Sequence, residues 1–169
     1  MMNKFIFPEL ETERLVLRLL TLEDGTAVFR HFAEEEVTRY LDIPPCKDIE
    51  EAKEIIRFHL EDSGCRWGIF LKETGQLAGT CGFHCWDSGP AGKAEIGFDL
   101  SEAYWGQGLM TEAVVPVLQV GFEQMGLQMI EATVDPANGR SKEMLNRLGF
   151  QRKAELVDNL VYFYLLNPR

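Results

Sequence analysis

Positive charge is scarce in this chain: 17 Lys and Arg stand against 27 Asp and Glu, for a net charge of −10. With no basic patch to displace counterions, the sequence argues against a nucleic-acid partner. The same balance suits a cationic acceptor such as an amine. Long hydrophobic runs are also missing. The apolar run in MMNKFIFPEL is too short for a signal peptide, and no stretch approaches the roughly 20 residues of a membrane span. The expectation is a cytoplasmic protein with no membrane partner. Cysteine is sparse: Cys46, Cys65, Cys81 and Cys85 lack the spacing of a disulfide scaffold, which fits a reducing compartment. Cys81 and Cys85 flank His84, but on a strand the two thiols share one face while His84 takes the other, and a fourth ligand is missing. No metal is expected. Gly-x-Ser-x-Gly is absent, and His31, His59 and His84 form no spaced group with Ser or Cys, so acyl-enzyme chemistry lacks a nucleophile elbow, and Cys81, the conceivable acyl carrier, is expected to pack. Low-complexity tracts, repeats and linkers are absent as well, and 169 residues suit a single domain over 1–169.

What is present alternates between strand and helix patterns. Arg14–Leu20 predicts a half-buried strand. Thr21 opens a helix through about Phe32, with Asp24 in its first turn and Leu22, Phe29 and Phe32 on one face. Asp48-x-x-Glu51 reads as a capping box for a second helix with Ile49, Ala52, Ile55, Ile56 and Leu60 as its apolar stripe, ended by Ser63-Gly64. Val37–Pro45 between them is irregular. Trp67–Leu71 and Leu77–Trp86 predict a strand pair, followed by a turn over Ser88–Gly92 and a strand over Ala94–Leu100. Leu109–Met125 reads as a helix bent at Pro116, with Ala113, Val117 and Val120 inward. Met129–Val134 is a strand, Gly139–Leu148 a helix stopped by Gly149, and Gln151–Leu156 with Leu160–Leu166 the last strand pair. The predicted fold class is α/β of the α+β type: a mixed, mostly antiparallel sheet of about seven strands flanked by about four helices.

The most informative stretch is Lys93–Ala113, KAEIGFDLSEAYWGQGLMTEA, in which Gly106-Gln107-Gly108 leads from a strand straight into a helix. Two glycines let backbone approach a ligand closely, and the helix behind them presents unpaired N–H groups and a partial positive charge. That is an anion site suited to a phosphate or pyrophosphate. It is no nucleotide P-loop, since Gly-Lys-Ser/Thr is absent, and no Gly-x-Gly-x-x-Gly, since position 111 is Thr. Downstream, EATVDPANGRSKEMLNRLGF contains Pro136, Asn138, Ser141 and Gly149-Phe150.

Together these segments resemble the GNAT superfamily of acyl-CoA N-acyltransferases. Gly106-Gln107-Gly108 looks like its pyrophosphate motif, and V-x-P-x-N-x-x-S with L-G-F like its second cofactor-side segment. Thr12-Glu13-Arg14-Leu15-Val16-Leu17-Arg18, with A-E-I-G-F and Y-W-G-Q-G, is similar to the RimJ/RimL-like branch, which acetylates N-terminal amines of proteins among other substrates. The resemblance spans roughly Glu11–Leu166. It implies acetyl-CoA as co-substrate, held by Phe98, Asp99, Leu100, Trp105, Gly106, Gln107, Gly108, Leu109, Met110, Thr111, Asn138 and Ser141. The acceptor it implies is a small-molecule amine or a protein N-terminus, and it leaves a homodimer open. Trp105 and Met110 depart from the superfamily pattern, and the Tyr that many members carry after Asn138 is absent.

Acetyl transfer to an amine needs a proton acceptor, because an α-amino group with a pKa near 7.7–8.0 is mostly protonated at neutral pH. Glu95, on the strand entering the glycine turn, is the candidate base, with Asp99 and Asp87 as lesser rivals. An oxyanion donor is expected from a backbone N–H around Phe98–Leu100. Ser141 divides between protonating the departing thiolate and serving the first turn of its helix, and Asn138 between cap and cofactor contact. Trp86, Phe98, Tyr104 and Trp105 cluster around this site, and some of them are expected to wall the acceptor cleft. The alternative reading is a fold relative that binds acyl-CoA or a partner without catalysing transfer.

Overall fold

The computed structural model describes residues 5–61 and 64–169; the first residues of the N-terminal apolar run and the expected helix stop at Ser63 lie outside them. Alternation and turn chemistry produce the strands β1 (Leu10–Glu11), β2 (Leu15–Leu19), β3 (Cys65–Leu71), β4 (Leu77–Asp87), β5 (Lys93–Leu100), β6 (Met129–Val134), β7 (Gln151–Arg152) and β8 (Val161–Leu166). The helices are α1 (Gly25–Phe32), α2 (Glu35–Thr38), α3 (Ile49–Glu61), α4 (Leu109–Gln119) and α5 (Gly139–Arg147). All strands join one sheet in the order β1-β2-β3-β4-β5-β6-β8-β7, and only β5 and β6 are parallel.

The strand period of two sorts side chains onto two faces. One face carries Leu15, Leu17, Trp67, Ile69, Cys81, Phe83, Ala94, Ile96, Ile130 and Phe163. It is covered by Ala113, Val114 and Val117 of α4 and by Met144 and Leu145 of α5. The other face, beneath α1 and α3, holds a second cluster with Val28, Phe32, Ala52, Ile56 and Phe70. Beyond those helices that face turns polar: Glu95, Glu131, Thr133, Tyr162 and Tyr164 occupy the alternate positions of β5, β6 and β8.

Several local details differ from the sequence pattern, each for a physical reason. The residues after Thr21 first form a 3-10 turn, Leu22–Asp24, whose Asp24 carboxylate accepts the Thr21 N–H at 2.8 Å; α1 starts only at Gly25. Leu22 is therefore exposed, and Val28 takes its place in the core. In α3, Ala52 and Ile56 are buried, whereas Ile49 and Leu60 near its ends are exposed. The expected irregular stretch from Val37 begins inside the single turn of α2, which adds a fifth helix, and β1 adds an eighth strand. The helix containing Pro116 is α-helical only to Gln119. It continues as a π turn over Val120–Gln124, with the Met125 N–H on the Val120 carbonyl at 3.0 Å. The expected strand Gln151–Leu156 shrinks to β7, because the chain leaves the sheet before a tight turn. That turn has Asp158 (φ 52°) and Asn159 (φ 65°) at its centre and is closed by two bonds of 2.9 Å between Val157 and Leu160.

The stop of α5 follows the sequence closely. Gly149 adopts φ 89°, with its N–H on the Asn146 carbonyl (3.1 Å) and the Phe150 N–H on Leu145 (3.0 Å), the paired bonds of a Schellman cap. β4 breaks near its end: Cys85 has φ 51° and is exposed, while Cys81 is fully buried, so the two thiols do not share one environment. Burial pushes the Cys81 thiol up to about 12, which keeps it an inert packing group.

At Gly82 of β4 an added Cβ would lie 2.0 Å from the Cys65 carbonyl oxygen of β3. Gly82→Ala is expected to lower the melting temperature, at a cost of about 1–3 kcal/mol from overpacking. Gly139→Ala, where nothing lies within 4 Å, should leave it nearly unchanged. Equal melting temperatures for the two variants would contradict the packing described.

Candidate active site

After β5 the chain makes a 3-10 turn at Glu102–Tyr104 and enters the glycine turn. Gly106 (φ 75°) and Gly108 (φ 77°) are both left-handed, a conformation that only glycine adopts without strain. Gly108 is the N-cap of α4 and supplies no side-chain cap, and the first backbone bond runs from Glu112 N–H to the Gly108 carbonyl (3.1 Å). The N–H groups of Leu109, Met110 and Thr111 therefore point out of the helix end with no partner in the helix. Two contacts stiffen the turn: Trp105 Nε1 donates to the Leu100 carbonyl at 2.8 Å, and Gln107 Nε2 to the Ala103 carbonyl at 3.3 Å. The first turn of α4 is tied to the N-terminal strands through Glu112. Its carboxylate accepts from Thr12 Oγ1 (2.5 Å), from the Arg14 N–H (2.9 Å) and from Arg14 Nε (2.8 Å). Burial raises the Glu112 carboxyl, but these bonds and the Arg14 charge outweigh it and hold the group below its ordinary value.

A cavity of about 560 Å³ opens in front of this turn. Phe98, Asp99 and Leu100 line it from β5, and Trp105, Gly106 and Gly108 from the turn. Leu109, Met110 and Thr111 line it from α4, and Asn138 and Ser141 from α5. The far wall comes from Val37 of α2 and from Tyr40 and Leu41 just after it. Of the residues expected here, Gln107 and Glu95 do not line it. Nor does Trp86, which packs edge-on against Phe5 and Phe7 instead.

The cavity continues into a gap in the sheet. β5 pairs with β4 along its whole length, but with β6 only from Lys93↔Met129 to Glu95↔Glu131. Past Glu95 the two parallel strands part. The Ser101 N–H binds the Ala78 carbonyl on the β4 side at 2.9 Å. Alternation along the strand therefore turns the N–H groups of Phe98 and Leu100 to the edge that β6 has left. Glu95 stands at the apex of this opening, with Oε1 accepting from Thr133 Oγ1 at 2.7 Å. Beside it Glu131 accepts from the Tyr162 hydroxyl at 2.5 Å, and burial together with that carboxylate pushes the Tyr162 phenol up.

Asn138 is the N-cap of α5: its side-chain oxygen accepts the Ser141 N–H at 3.2 Å. The capping role thus belongs to Asn138, and Ser141 lines the cavity.

One group is not legible from sequence spacing. His31 of α1 sits between Ser101 (Nδ1 to Oγ, 2.8 Å) and Asp99 (Nε2 to Oδ1, 2.5 Å). Asp99 also accepts from Arg66 Nη2 at 2.6 Å and from Thr80 Oγ1 at 2.7 Å, all of it buried. Burial works to raise the Asp99 carboxyl, but the His31 ring, the Arg66 guanidinium and these bonds win and hold it far below the ordinary carboxylate range. Such a carboxylate is a poor base and a good anchor. Among the described residues no group of three or more His, Cys, Asp and Glu could hold a metal ion.

Residues 14–151 match the family model of the acetyltransferase (GNAT) domain. The chain belongs to the GNAT acetyltransferase family. An uncharacterised N-acetyltransferase p20 of Bacillus licheniformis is 40% identical over 88% of this chain and 85% of its own length. The [ribosomal protein uS5]-alanine N-acetyltransferase of Escherichia coli K12 is 28% identical over 90% of this chain and 82% of its own, in keeping with the RimJ/RimL-like branch. Spermidine N-acetyltransferase from Vibrio cholerae, solved with CoA and spermine, has the same fold, with a TM-score of 0.81 over 92% of this chain and 97% of its own at 17% identity. Family membership makes this GNAT protein an acetyltransferase, an enzyme built on the fold described above.

Asp99→Asn would leave the Arg66 guanidinium buried without its counter-charge. The expected loss is about 3–5 kcal/mol of stability in denaturant unfolding at pH 7. Because the folded-state pKa is depressed, the contribution of Asp99 is fully present above its unfolded value of about 3.9 and is lost as pH falls below it. The difference between wild type and variant should narrow in acid. A variant as stable as wild type at pH 7 would contradict the anchor role.

Proposed function

We propose that this GNAT enzyme transfers the acetyl group of acetyl-CoA to a primary amine, by direct attack within a ternary complex. The observation that carries the reading is the parting of β5 from β6 in front of a bare helix N-terminus. The pyrophosphate suits the N–H groups of Leu109, Met110 and Thr111, where two glycines leave the approach clear. The pantetheine arm suits the unpaired edge of Phe98–Leu100, which it would meet as an added strand. The same edge offers N–H donors to the oxyanion that develops on the thioester carbonyl.

The amine reaches the thioester from the opposite side of the opening. Glu95 lies four residues before Asp99, about 13 Å along the strand at roughly 3.3 Å per residue. It takes the ammonium proton through water rather than by contact. Ser141, its backbone already served by Asn138, supplies the proton for the departing thiolate, a role for which no Tyr is available on α5. The thiol is a weak acid with a pKa near 8.5, so a hydroxyl that relays a solvent proton is sufficient. Acceptors that fit a chain of net charge −10 are cationic small-molecule amines or protein N-termini. The E. coli relative acts, by its name, on an alanine of ribosomal protein uS5, and this supports a protein acceptor. No described helix is long and apolar enough to cross a membrane.

Glu95→Gln should lower turnover by about 10²–10⁴-fold and flatten the rise of rate with pH, with the affinity for acetyl-CoA nearly intact. Measured as CoA thiol release, a variant with most of its activity and an unchanged pH profile would remove Glu95 from the mechanism.

Ser141→Ala is expected to depress turnover while the melting temperature hardly moves, since Asn138 keeps the helix cap. A destabilised variant with wild-type turnover below its melting range would assign the hydroxyl to structure instead.

A further inference from the structure

Three arginines line the cavity: Arg39, Arg140 and Arg147. Arg39 pairs with Glu36 at 3.6 Å and Arg147 with Glu143 at 3.4 Å. Arg140 has no carboxylate and no hydrogen-bond acceptor among the described residues. Its guanidinium carbon instead lies 3.8 Å from the centre of the Trp105 ring, across the cavity mouth from its own helix. The indole is itself fixed by its N–H on the Leu100 carbonyl. A stacked guanidinium is held in place while its five N–H donors remain uncommitted around the ring plane.

The position is electrostatically unfavourable for the free protein. Arg140 is the second residue of α5, whose first turn contains no acidic residue, and a cation at a helix N-terminus opposes the helix dipole. Its charge also lies beside the start of α4, where Gly106 and Gly108 open a second partial positive end. Three positive features converge on one mouth, and the carboxylates nearest them are committed elsewhere, Glu112 of α4 to Thr12 and Arg14 and Glu143 of α5 to Arg147. They become mutually favourable only when an anion enters between them.

We infer that Arg140, held by Trp105, is a ligand of the acyl-CoA pyrophosphate, closing on it from α5 while the glycine turn of α4 holds it from the other side. The inference rests on the acyl-CoA reading above and adds a residue from the second wall of the groove. Trp105 is a positioning residue in this arrangement: it touches no phosphate and keeps the guanidinium aimed.

The test is binding, with no turnover required. Dissociation constants for CoA and for 3′-dephospho-CoA, which keeps the pyrophosphate, are measured by calorimetry on wild type, Arg140→Gln, Arg140→Lys, Trp105→Phe and Trp105→Leu. Arg140→Gln should weaken both ligands equally, by about tenfold or more, as loss of a charge-assisted hydrogen bond does. Arg140→Lys should recover only part of this, because an ammonium neither stacks flat nor forks. Trp105→Leu should weaken binding in the same direction, Trp105→Phe less, and Trp105→Leu with Arg140→Gln should cost less than the sum of the two. Unliganded melting temperatures of the Arg140 variants should be no lower than that of wild type. A wild type that binds neither ligand defeats the acyl-CoA reading itself. A wild type that binds, with Arg140→Gln binding equally well, overturns this inference alone, as does a loss confined to CoA, which would place Arg140 at the 3′-phosphate.

Discussion

Strand β5 is held by β4 along its whole length and by β6 over only three register pairs, and this inequality shapes everything around it. A strand edge with unpaired N–H groups is costly to bury unless something pairs with it. The protein keeps that edge on the wall of a cavity, where a ligand can take the place of the missing strand. Its other edge must then be secured without help from β6. The crossover through α4 from β5 to β6 meets the same demand, because a parallel neighbour needs a long connection, and its helix starts where the edge is open.

Asp99 explains how the free segment of β5 stays in place. Its carboxylate is buried between His31 of α1, Arg66 of β3 and Thr80 of β4, so three elements hold the strand through one side chain. A buried ion pair is weak evidence for net stability, yet breaking one leaves an uncompensated charge. What the arrangement does is fix position at the residue whose neighbours, Phe98 and Leu100, face the opening. Glu95 has the opposite environment: partly exposed, bonded to one hydroxyl and with no cationic partner among the described residues. Of the two carboxylates on this strand, the one with a free oxygen at the gap is fit to move protons, and the other is fit to stay ionised.

The glycine turn was readable because its chemistry is local. Two left-handed residues separated by one, before a helix, need glycines wherever they occur. The stop of α5 at Gly149 and the cap at Asn138 were readable for the same reason. The strand over Ala94–Leu100 was readable too, and alternation along any strand sets Ala94 and Ile96 on one face and Glu95 and Asp99 on the other. The buried ring of His31, Arg66, Thr80, Asp99 and Ser101 was not readable, because its members come from separate parts of the chain and meet only after the sheet forms. Arg140 was invisible for a related reason: an exposed arginine on a short helix looks like a solvated one until the indole beneath it is seen. The shortening of β7 came from a two-residue turn at Asp158-Asn159 whose closing contacts took the chain out of the sheet early. Periodicity extends strands until something local stops them, and here the stop lay beyond the periodic segment.

The central claim is that acetyl passes directly from thioester to amine across the gap between β5 and β6. It is tested most directly by initial velocities of thiol release with amine varied at several fixed concentrations of acetyl-CoA. Direct transfer predicts intersecting double-reciprocal lines and no burst of free thiol before amine is added. Parallel lines with a stoichiometric burst would show an acyl-enzyme, and would contradict the account of a site with no nucleophile.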